Sequence, residues 1–340
     1  MTTVKIRGGG AAYAGPVLPL PPFEWLAPRS LDEAVRALAA APDDTMLLGG
    51  GTDVLPNLKH GLHTPRRLIG LGKIDELGRI EVGADVRLGA GVTIDRLARE
   101  PRVRAWYPAL AAAAESIASP QLRRMGTLGG NLCLDTRCGF YNQTAFWRGA
   151  LGHCLKAEGT VCHVVPAGRR CVAALSADTP APLIAYQAEL ELRSVRGTRT
   201  LPLADFYAGD GVHHHQRAPD EIVVAVRLPA PAPGLRSSYL KLRTRQAIDF
   251  PLLSVAAVVS AVSVRVVVGA LGPRPRQVRL ADGVAAARPL TPASIDAIAS
   301  AAAAQCHPLA NLGDEPWRAA MVAPTVRRAL HALVASVTEA

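Results

Sequence analysis

Five of the six cysteines lie in one stretch of the sequence, between Cys133 and Cys171. Four of them, Cys138, Cys154, Cys162 and Cys171, follow the spacing C-x15-C-x7-C-x8-C. The residues between them show neither helical nor strand periodicity, which indicates an irregular segment. Such a segment needs something other than regular hydrogen bonding to hold it together, and four thiols could supply it.

Three chemical roles for these cysteines remain open from their spacing. Disulfides are disfavoured because the sequence has no secretory signal, and thiols inside a cell stay reduced. Structural zinc sites usually bring cysteines in close C-x2-4-C pairs, which are absent here. Widely spaced thiolates fit an iron–sulfur cluster at least as well. Small, buried, unligated cysteines remain possible beside zinc and a cluster.

Two glycine-rich turns are the second feature whose residues could bind a ligand. The first reads Leu-Leu-Gly-Gly-Gly-Thr-Asp over residues 47–53, and the second reads Gly-Thr-Leu-Gly-Gly-Asn over residues 126–131. Glycines permit positive φ and let consecutive N–H groups converge on an anion. Neither turn is a Rossmann fingerprint or a P-loop. One turn alone could be a plain tight turn, whereas two together favour a phosphate-bearing ligand.

The elements that position these turns follow from local pattern. A strand at residues 23–26, a helix opened by a capping box at Ser30 and continuing to Ala40, and a strand at residues 45–48 predict a strand, helix, strand unit. Further strands are expected at 66–71, in a hairpin over 80–90, and at 172–175, 190–194, 199–202 and 263–269. Helices are expected at 93–99, 108–119, 292–304 and 319–337.

Composition excludes several classes of protein. With 340 residues, 49% hydrophobic residues and positive mean hydropathy, the chain is globular, and no apolar run reaches the ~18–20 residues of a membrane span. The net charge of +10 could attract nucleic acid, but arginine is spread along the chain and aromatic residues are only 4%. A soluble, cytoplasmic protein is expected, with His213, His214 and His215 on a polar surface loop.

The cysteine stretch resembles a known family. The segments GTLGGNLCLDTRCGFYNQ, CLKAEG and CHVV, followed by Cys171, are similar to the beta subunits of 4-hydroxybenzoyl-CoA reductases. These are flavin subunits of molybdenum enzymes in the xanthine oxidase family, and they carry an additional [4Fe-4S] cluster. The resemblance implies that Cys138, Cys154, Cys162 and Cys171 are the cluster ligands. Cys133 would be a neighbour without that role.

The paired turns resemble the FAD-binding domain of the vanillyl-alcohol oxidase (PCMH) type, in which FAD lies between two lobes. The resemblance implies that Leu47, Leu48, Gly49, Gly50, Gly51, Thr52 and Asp53 surround the pyrophosphate and adenosine. Ile117, Thr127, Leu128, Gly129, Gly130 and Asn131 would follow the ribityl chain and the flavin edge. Relatives place an aspartate nine residues after the Asn of GGN, where this chain has Phe140, so Asp135 is the substitute. Lys241 takes the position that approaches the flavin.

The implied fold class is α+β: a two-lobed PCMH-type domain followed by a C-terminal α+β domain of the CO dehydrogenase flavoprotein type. The expected limits are an arm at 1–22, the FAD domain at 23–228 with the iron–sulfur insertion at 133–171, a Pro-rich linker at 229–234, and the C-terminal domain at 235–340.

The implied function is that of an FAD and [4Fe-4S] electron-transfer subunit of 4-hydroxybenzoyl-CoA reductase, an oxidoreductase of anaerobic aromatic degradation. Its partners would be a molybdopterin-binding large subunit, a [2Fe-2S] small subunit and a ferredoxin-like donor, assembled as a dimer of heterotrimers. The alternative is the FAD subunit of an oxidative molybdenum hydroxylase that passes electrons outward. A zinc-stabilised binding protein without redox chemistry is a rival from another class.

Overall fold

Three sheets, one after another along the chain, organise the part of the protein that the structure describes. The structure is a computed structural model that describes residues 2–6, 18–285 and 289–335. The sheets define three lobes, and a cleft lies where they meet. No helix in these ranges is long and apolar enough to cross a membrane.

The first lobe is a four-stranded sheet in the order β1-β2-β4-β3. Its elements are β1 (Thr2–Ile6), β2 (Phe23–Ala27), α1 (Leu31–Ala39), β3 (Thr45–Leu48), α2 (Val54–Lys59) and β4 (Arg67–Gly70). Strands β2 and β3 both pair in parallel with β4, so the predicted strand, helix, strand unit is present with a third strand between its two. The hydroxyl of Ser30 caps α1 by accepting the Glu33 N–H. Of the predicted N-terminal arm, residues 1 and 7–17 lie outside the described residues.

The second lobe is an antiparallel sheet in the order β5-β6-β9-β7-β8. Its strands are β5 (Ile80–Val82), β6 (Asp85–Gly89), β7 (Glu189–Ser194), β8 (Gly197–Pro202) and β9 (Ile222–Pro229). Its helices are α3 (Ile94–Arg99), α4 (Pro101–Trp106), α5 (Pro108–Glu115), α6 (Pro120–Met125), α7 (Leu128–Leu132), α8 (Ala145–Leu151), α9 (Pro180–Ala185) and α10 (Leu203–Phe206). Apolar residues of α3, α5 and α9 share the largest core of the described residues with strands β6, β7 and β9 and with third-lobe residues such as Tyr239 and Ala256. Helices α5 and α9 lie against the sheet of that third lobe.

The strand predicted at residues 172–175 does not form. Ala174 makes an isolated bridge with Arg137, and the Leu175 N–H donates to the carbonyl of Gly272. These backbone groups are therefore satisfied by two different segments and not by one neighbouring strand. The segment has side chains typical of a strand, but no neighbouring strand lies beside it to pair with its backbone.

The third lobe is the sheet β10-β11-β12-β13 covered by helices. Its elements are β10 (Arg236–Leu242), β11 (Leu253–Val259), β12 (Val264–Gly269), β13 (Arg276–Gln277), α11 (Asp282–Ala285), α12 (Pro292–Gln305) and α13 (Glu315–Ala335). Thr291 and Ser294 form a reciprocal capping box at the start of α12. The last two residues of the helix predicted at 319–337 lie outside the described residues.

Candidate functional site

The two glycine turns touch each other through their backbones. A Cβ atom on Gly50 would lie 1.7 Å from the carbonyl oxygen of Met125, and one on Gly49 would lie 2.7 Å from Oγ1 of Thr127. Gly51 has φ +72°, a conformation that costs glycine little and other residues more. Glycine is therefore required at Gly49 and Gly50 by the close approach of the two turns, and at Gly51 by its backbone conformation. The sequence pattern alone could not distinguish these two reasons.

A cleft runs along both turns in two connected parts. One part has a volume of about 590 Å³ and lies between the first and second lobes; the other, of about 380 Å³, opens toward the third lobe. Both volumes are in the range of small-molecule and cofactor sites. The residues of the predicted cofactor set that line it are Leu47, Gly49, Gly50, Gly51, Thr52, Asp53, Ile117, Thr127, Gly129, Gly130, Asn131 and Asp135.

The remaining members of the predicted cofactor set lie behind the cleft wall. Leu128 is fully buried in the core of the second lobe, and Leu48 packs against the small core beside α2.

The Asn131 side chain is held by Thr179, whose N–H and hydroxyl both donate to Oδ1, the hydroxyl at 2.6 Å. The orientation of this side chain is thus set by the loop before α9.

Lys241 lies on β10 and reaches the cleft through Asp178. Its ammonium donates to Oδ2 of Asp178 at 3.0 Å and to the carbonyl of Ser116 at 3.1 Å, while the hydroxyl of Tyr239 donates to Oδ1 of Asp178 at 2.6 Å. Both side chains of the ion pair are at most 5% exposed. Burial lowers the pKa of Lys241 and raises the pKa of Asp178. Lys241 is therefore a buried partner of a cleft residue, and not a surface lysine.

Arg137 also lines the cleft, and sequence reasoning did not identify it. Its guanidinium pairs with Asp53 at the start of α2 and lies 4.7 Å over the ring of Phe250. Burial lowers the pKa of Arg137 to about 10, and its Nε has no hydrogen-bond partner among the described residues. No local pattern could have indicated this contact, because 84 residues separate Arg137 from Asp53.

The four predicted ligand cysteines come together in the tertiary structure. Cys138, Cys154, Cys162 and Cys171 all line one small cavity beside Tyr141. Burial raises the pKa of the Cys138 thiol, and it raises that of Cys171 to about 11. The other two cysteines lie elsewhere: Cys133 lines the cofactor cleft, and Cys306 is in the core of the third lobe.

These cysteines do not form a site for a single metal ion. Among residues 2–6, 18–285 and 289–335, no group of three or more His, Cys, Asp or Glu side chains could hold one. Four sulfurs around a single zinc would each lie ~2.3 Å from the metal, hence within about 4 Å of one another. The arrangement therefore does not match the zinc alternative.

A lysine connects the cysteine cavity with the cofactor cleft. Lys156 lines the cavity, and its ammonium donates to Oδ1 of Asp135 at 2.6 Å and to the carbonyl of Gly211 at 2.8 Å. Asp135 in turn lines the cleft and lies 3.2 Å from Nε2 of His63. Burial alone would raise the pKa of Asp135, but the hydrogen bond with His63 and the charge of Lys156 outweigh it, so the pKa lies below its usual range.

The three adjacent histidines do not form a polar surface loop, and that prediction was wrong. His213 is exposed, but His214 is buried and His215 stacks on Phe206. Both His214 and His215 line the cleft, and burial lowers the pKa of His215 to about 3. The loop folds inward because the bridge between Tyr207 and His215 draws it against the second sheet.

Comparisons with known proteins agree on one family. Residues 21–231 match the family described as the FAD-binding domain in molybdopterin dehydrogenase. The chain is 32% identical over 319 residues to the carbon monoxide dehydrogenase medium chain of Hydrogenophaga pseudoflava, covering 92% of this chain and 97% of the relative. It is 35% identical over 248 residues to the FAD-binding subunit of aldehyde oxidoreductase from Escherichia coli (strain K12), covering 69% and 77%.

A solved structure shows the same fold. Carbon monoxide dehydrogenase from Hydrogenophaga pseudoflava superimposes with a TM-score of 0.76 and 30% sequence identity. The match covers 93% of this chain and 99% of that one. The mixed α and β architecture with its three lobes is thus shared along nearly the whole chain.

Proposed function

The chain belongs to the family of FAD-binding domains of molybdopterin dehydrogenases, and we propose that it binds FAD along the cleft and carries electrons for a molybdenum-containing partner. The observation that supports this best is that the two glycine turns contact each other and both line the cleft. Residues 47–53 would hold the pyrophosphate and adenosine, and Asp135 would substitute for the aspartate that relatives carry after the second turn. Ile117 and residues 127–131 would hold the ribityl chain and ring, with Lys241 behind them.

Bound FAD would supply two-electron chemistry linked to one-electron centres. The chain's own contribution is to bind and orient the cofactor and to exclude water. The N–H of Gly130 already donates to the Thr127 hydroxyl, and Asn131 is held by Thr179. These contacts fix the second turn before any cofactor arrives, which reduces the entropy lost on binding.

The first candidate for the direction of flow is oxidative. The relatives named above are a carbon monoxide dehydrogenase and an aldehyde oxidoreductase. By analogy, a substrate would be oxidised on a partner subunit, and electrons would leave the complex through FAD. This alternative from the sequence is favoured by the comparisons over the specific reductase.

The second candidate is reductive, and the convergence of the four cysteines supports it. Cys138, Cys154, Cys162 and Cys171 would bind a [4Fe-4S] cluster, whose thiolates each bind a different iron and so lie farther apart than ligands of one ion. A cluster beyond the flavin would admit electrons from a ferredoxin-like donor. The reaction would be that of 4-hydroxybenzoyl-CoA reductase, in anaerobic aromatic degradation.

The partners follow from either candidate. We propose a molybdopterin-binding large subunit and a [2Fe-2S] small subunit, assembled as a dimer of heterotrimers in the cytoplasm. We also propose the domain limits 23–228 and 235–340, because β9 ends at Pro229 and β10 begins at Arg236. The segment 133–171 would be the iron–sulfur insertion.

Iron and acid-labile sulfide assays on anaerobically purified variants test the cluster. Cys154→Ser should lose the cluster because its thiol lines the cavity, while Cys306→Ser and Cys133→Ser should keep the full iron content. Wild-type protein with flavin but no iron would refute the cluster and leave the FAD proposal standing. For the assembled complex, reduction of the flavin by a low-potential dye but not by NADH would favour the reductive direction, and rapid NADH reaction would oppose it.

A further inference from the structure

Arg137 lies at the boundary between the cofactor cleft and the cysteine cavity. Its side chain lines the part of the cleft that opens toward the third lobe, while the next residue, Cys138, lines the cavity. Two backbone hydrogen bonds with Ala174, both 2.7 Å, fix the chain at this point. The direction of the side chain is therefore set by the scaffold.

The cation of Arg137 is only partly satisfied by the protein. Its guanidinium has one carboxylate partner, Asp53, and stacks on Phe250, while the side chain is only 16% exposed. The buried Nε has no hydrogen-bond partner among the described residues. A buried donor without a partner is unfavourable, because it has lost its hydrogen bonds to water. A ligand in the cleft would be the natural source of the missing contact.

The position of this cation relative to the proposed cofactor is specific. Ile117 and Asn131 line the same part of the cleft as Arg137, and both belong to the end proposed for the ribityl chain and flavin ring. Asp178, the partner of Lys241, lines it too. Residues 49–53 of the first turn line this part of the cleft as well, and the carboxylate of Asp53 already faces the guanidinium. The charge of Arg137 is thus held in the part of the cleft that the first turn shares with the end proposed for the flavin ring.

We propose that Arg137 contacts the flavin and stabilises its reduced form, an inference that rests on the FAD binding proposed above. Uptake of two electrons and one proton leaves the flavin ring with a net negative charge. A fixed cation in a partly desolvated cleft favours that state over the neutral oxidised ring. Arg137 would then join the cofactor-binding residues and help to set the reduction potential of the flavin.

Redox titration of the FAD-loaded full-length chain, followed by flavin absorbance, tests this role. Arg137→Gln should weaken binding of reduced FAD relative to oxidised FAD about tenfold, which lowers the two-electron potential by about 30 mV. Asp53→Asn should raise the potential, because it removes the compensating carboxylate. Arg137→Lys keeps the charge and should stay closer to wild type. Arg66→Gln is the matched control, since its side chain is 82% exposed, and it should leave the potential unchanged.

A structural role would give a different result. If Arg137 only tethers its segment to Asp53, Arg137→Gln would weaken the binding of oxidised and reduced FAD equally. The reduction potential would then stay unchanged, and that result would overturn the inference. If Arg137→Gln does not retain FAD, Asp53→Asn decides: a raised potential supports the inference and an unchanged one overturns it. Wild-type protein that binds no FAD would refute the proposed function itself.

Discussion

Alanine substitution should lower stability in the first glycine turn and leave it nearly unchanged in the second. Gly130 lies within α7, and an added Cβ would meet only Oγ1 of Thr127, at 3.1 Å, within 4 Å among the described residues. Replacing glycine by alanine inside a helix gains about 0.5–1 kcal/mol, and the tight contact with the Thr127 hydroxyl, which must shift slightly, offsets part of that gain. We therefore expect Gly130→Ala to unfold at the wild-type temperature or about 2 °C above it. At Gly50 the Cβ would lie 1.7 Å from the Met125 carbonyl, so Gly50→Ala must separate the turns and lower stability.

The same Gly130→Ala variant should bind FAD poorly. Its Cβ has open space on the cleft side, which is the space that a cofactor in contact with the backbone would need. Moving the cofactor to avoid it should cost about 1.4–2.8 kcal/mol, a 10- to 100-fold loss of affinity. Stable protein with weak FAD binding is a combination that general destabilisation cannot produce.

Two measurements separate these effects. Thermal unfolding of the cofactor-free variants gives their stability, and titration with FAD, followed by flavin fluorescence, gives the dissociation constant. Wild-type FAD affinity in Gly130→Ala would refute the proposal that the second turn contacts the cofactor. Wild-type stability in Gly50→Ala would refute the backbone contact between the turns.

Two further predictions concern buried charges. Lys241→Met should lower the free energy of unfolding by roughly 3–5 kcal/mol, because it leaves Asp178 buried without its cation. In urea unfolding, the second change Asp178→Asn should restore the lost stability. A loss under 1 kcal/mol in Lys241→Met alone would contradict the pairing. Asp135→Asn should destabilise the protein by about 3 kcal/mol at pH 7. Because the folded pKa of Asp135 is depressed, its contribution is complete above the unfolded pKa of ~3.9 and is lost as pH falls below it. The difference from wild type should therefore shrink from pH 6 to pH 3, and a constant difference would oppose this reasoning.

Local signals in the sequence were sufficient for most of the elements. Ser30 and Thr93 cap helices α1 and α3 where the pattern predicts them. The strands at residues 45–48 and 189–194 follow from runs of residues that suit a half-buried sheet. These features depend on neighbours within a few residues, so they are readable without the fold. The segment 172–175 shows the limit, because a strand also needs an edge with which to pair.

The same division holds for the site. Residue types and spacing in the sequence identified the two glycine turns and the four cysteines, since close backbone approach requires glycine and five of the six cysteines fall in one stretch. Only the tertiary structure decided that the cysteines share a cavity, that His214 is buried and that Lys241 meets Asp178. The pairing of Arg137 with Asp53 spans 84 residues. Such contacts leave no local periodicity, because they arise from how three sheets pack around one cleft.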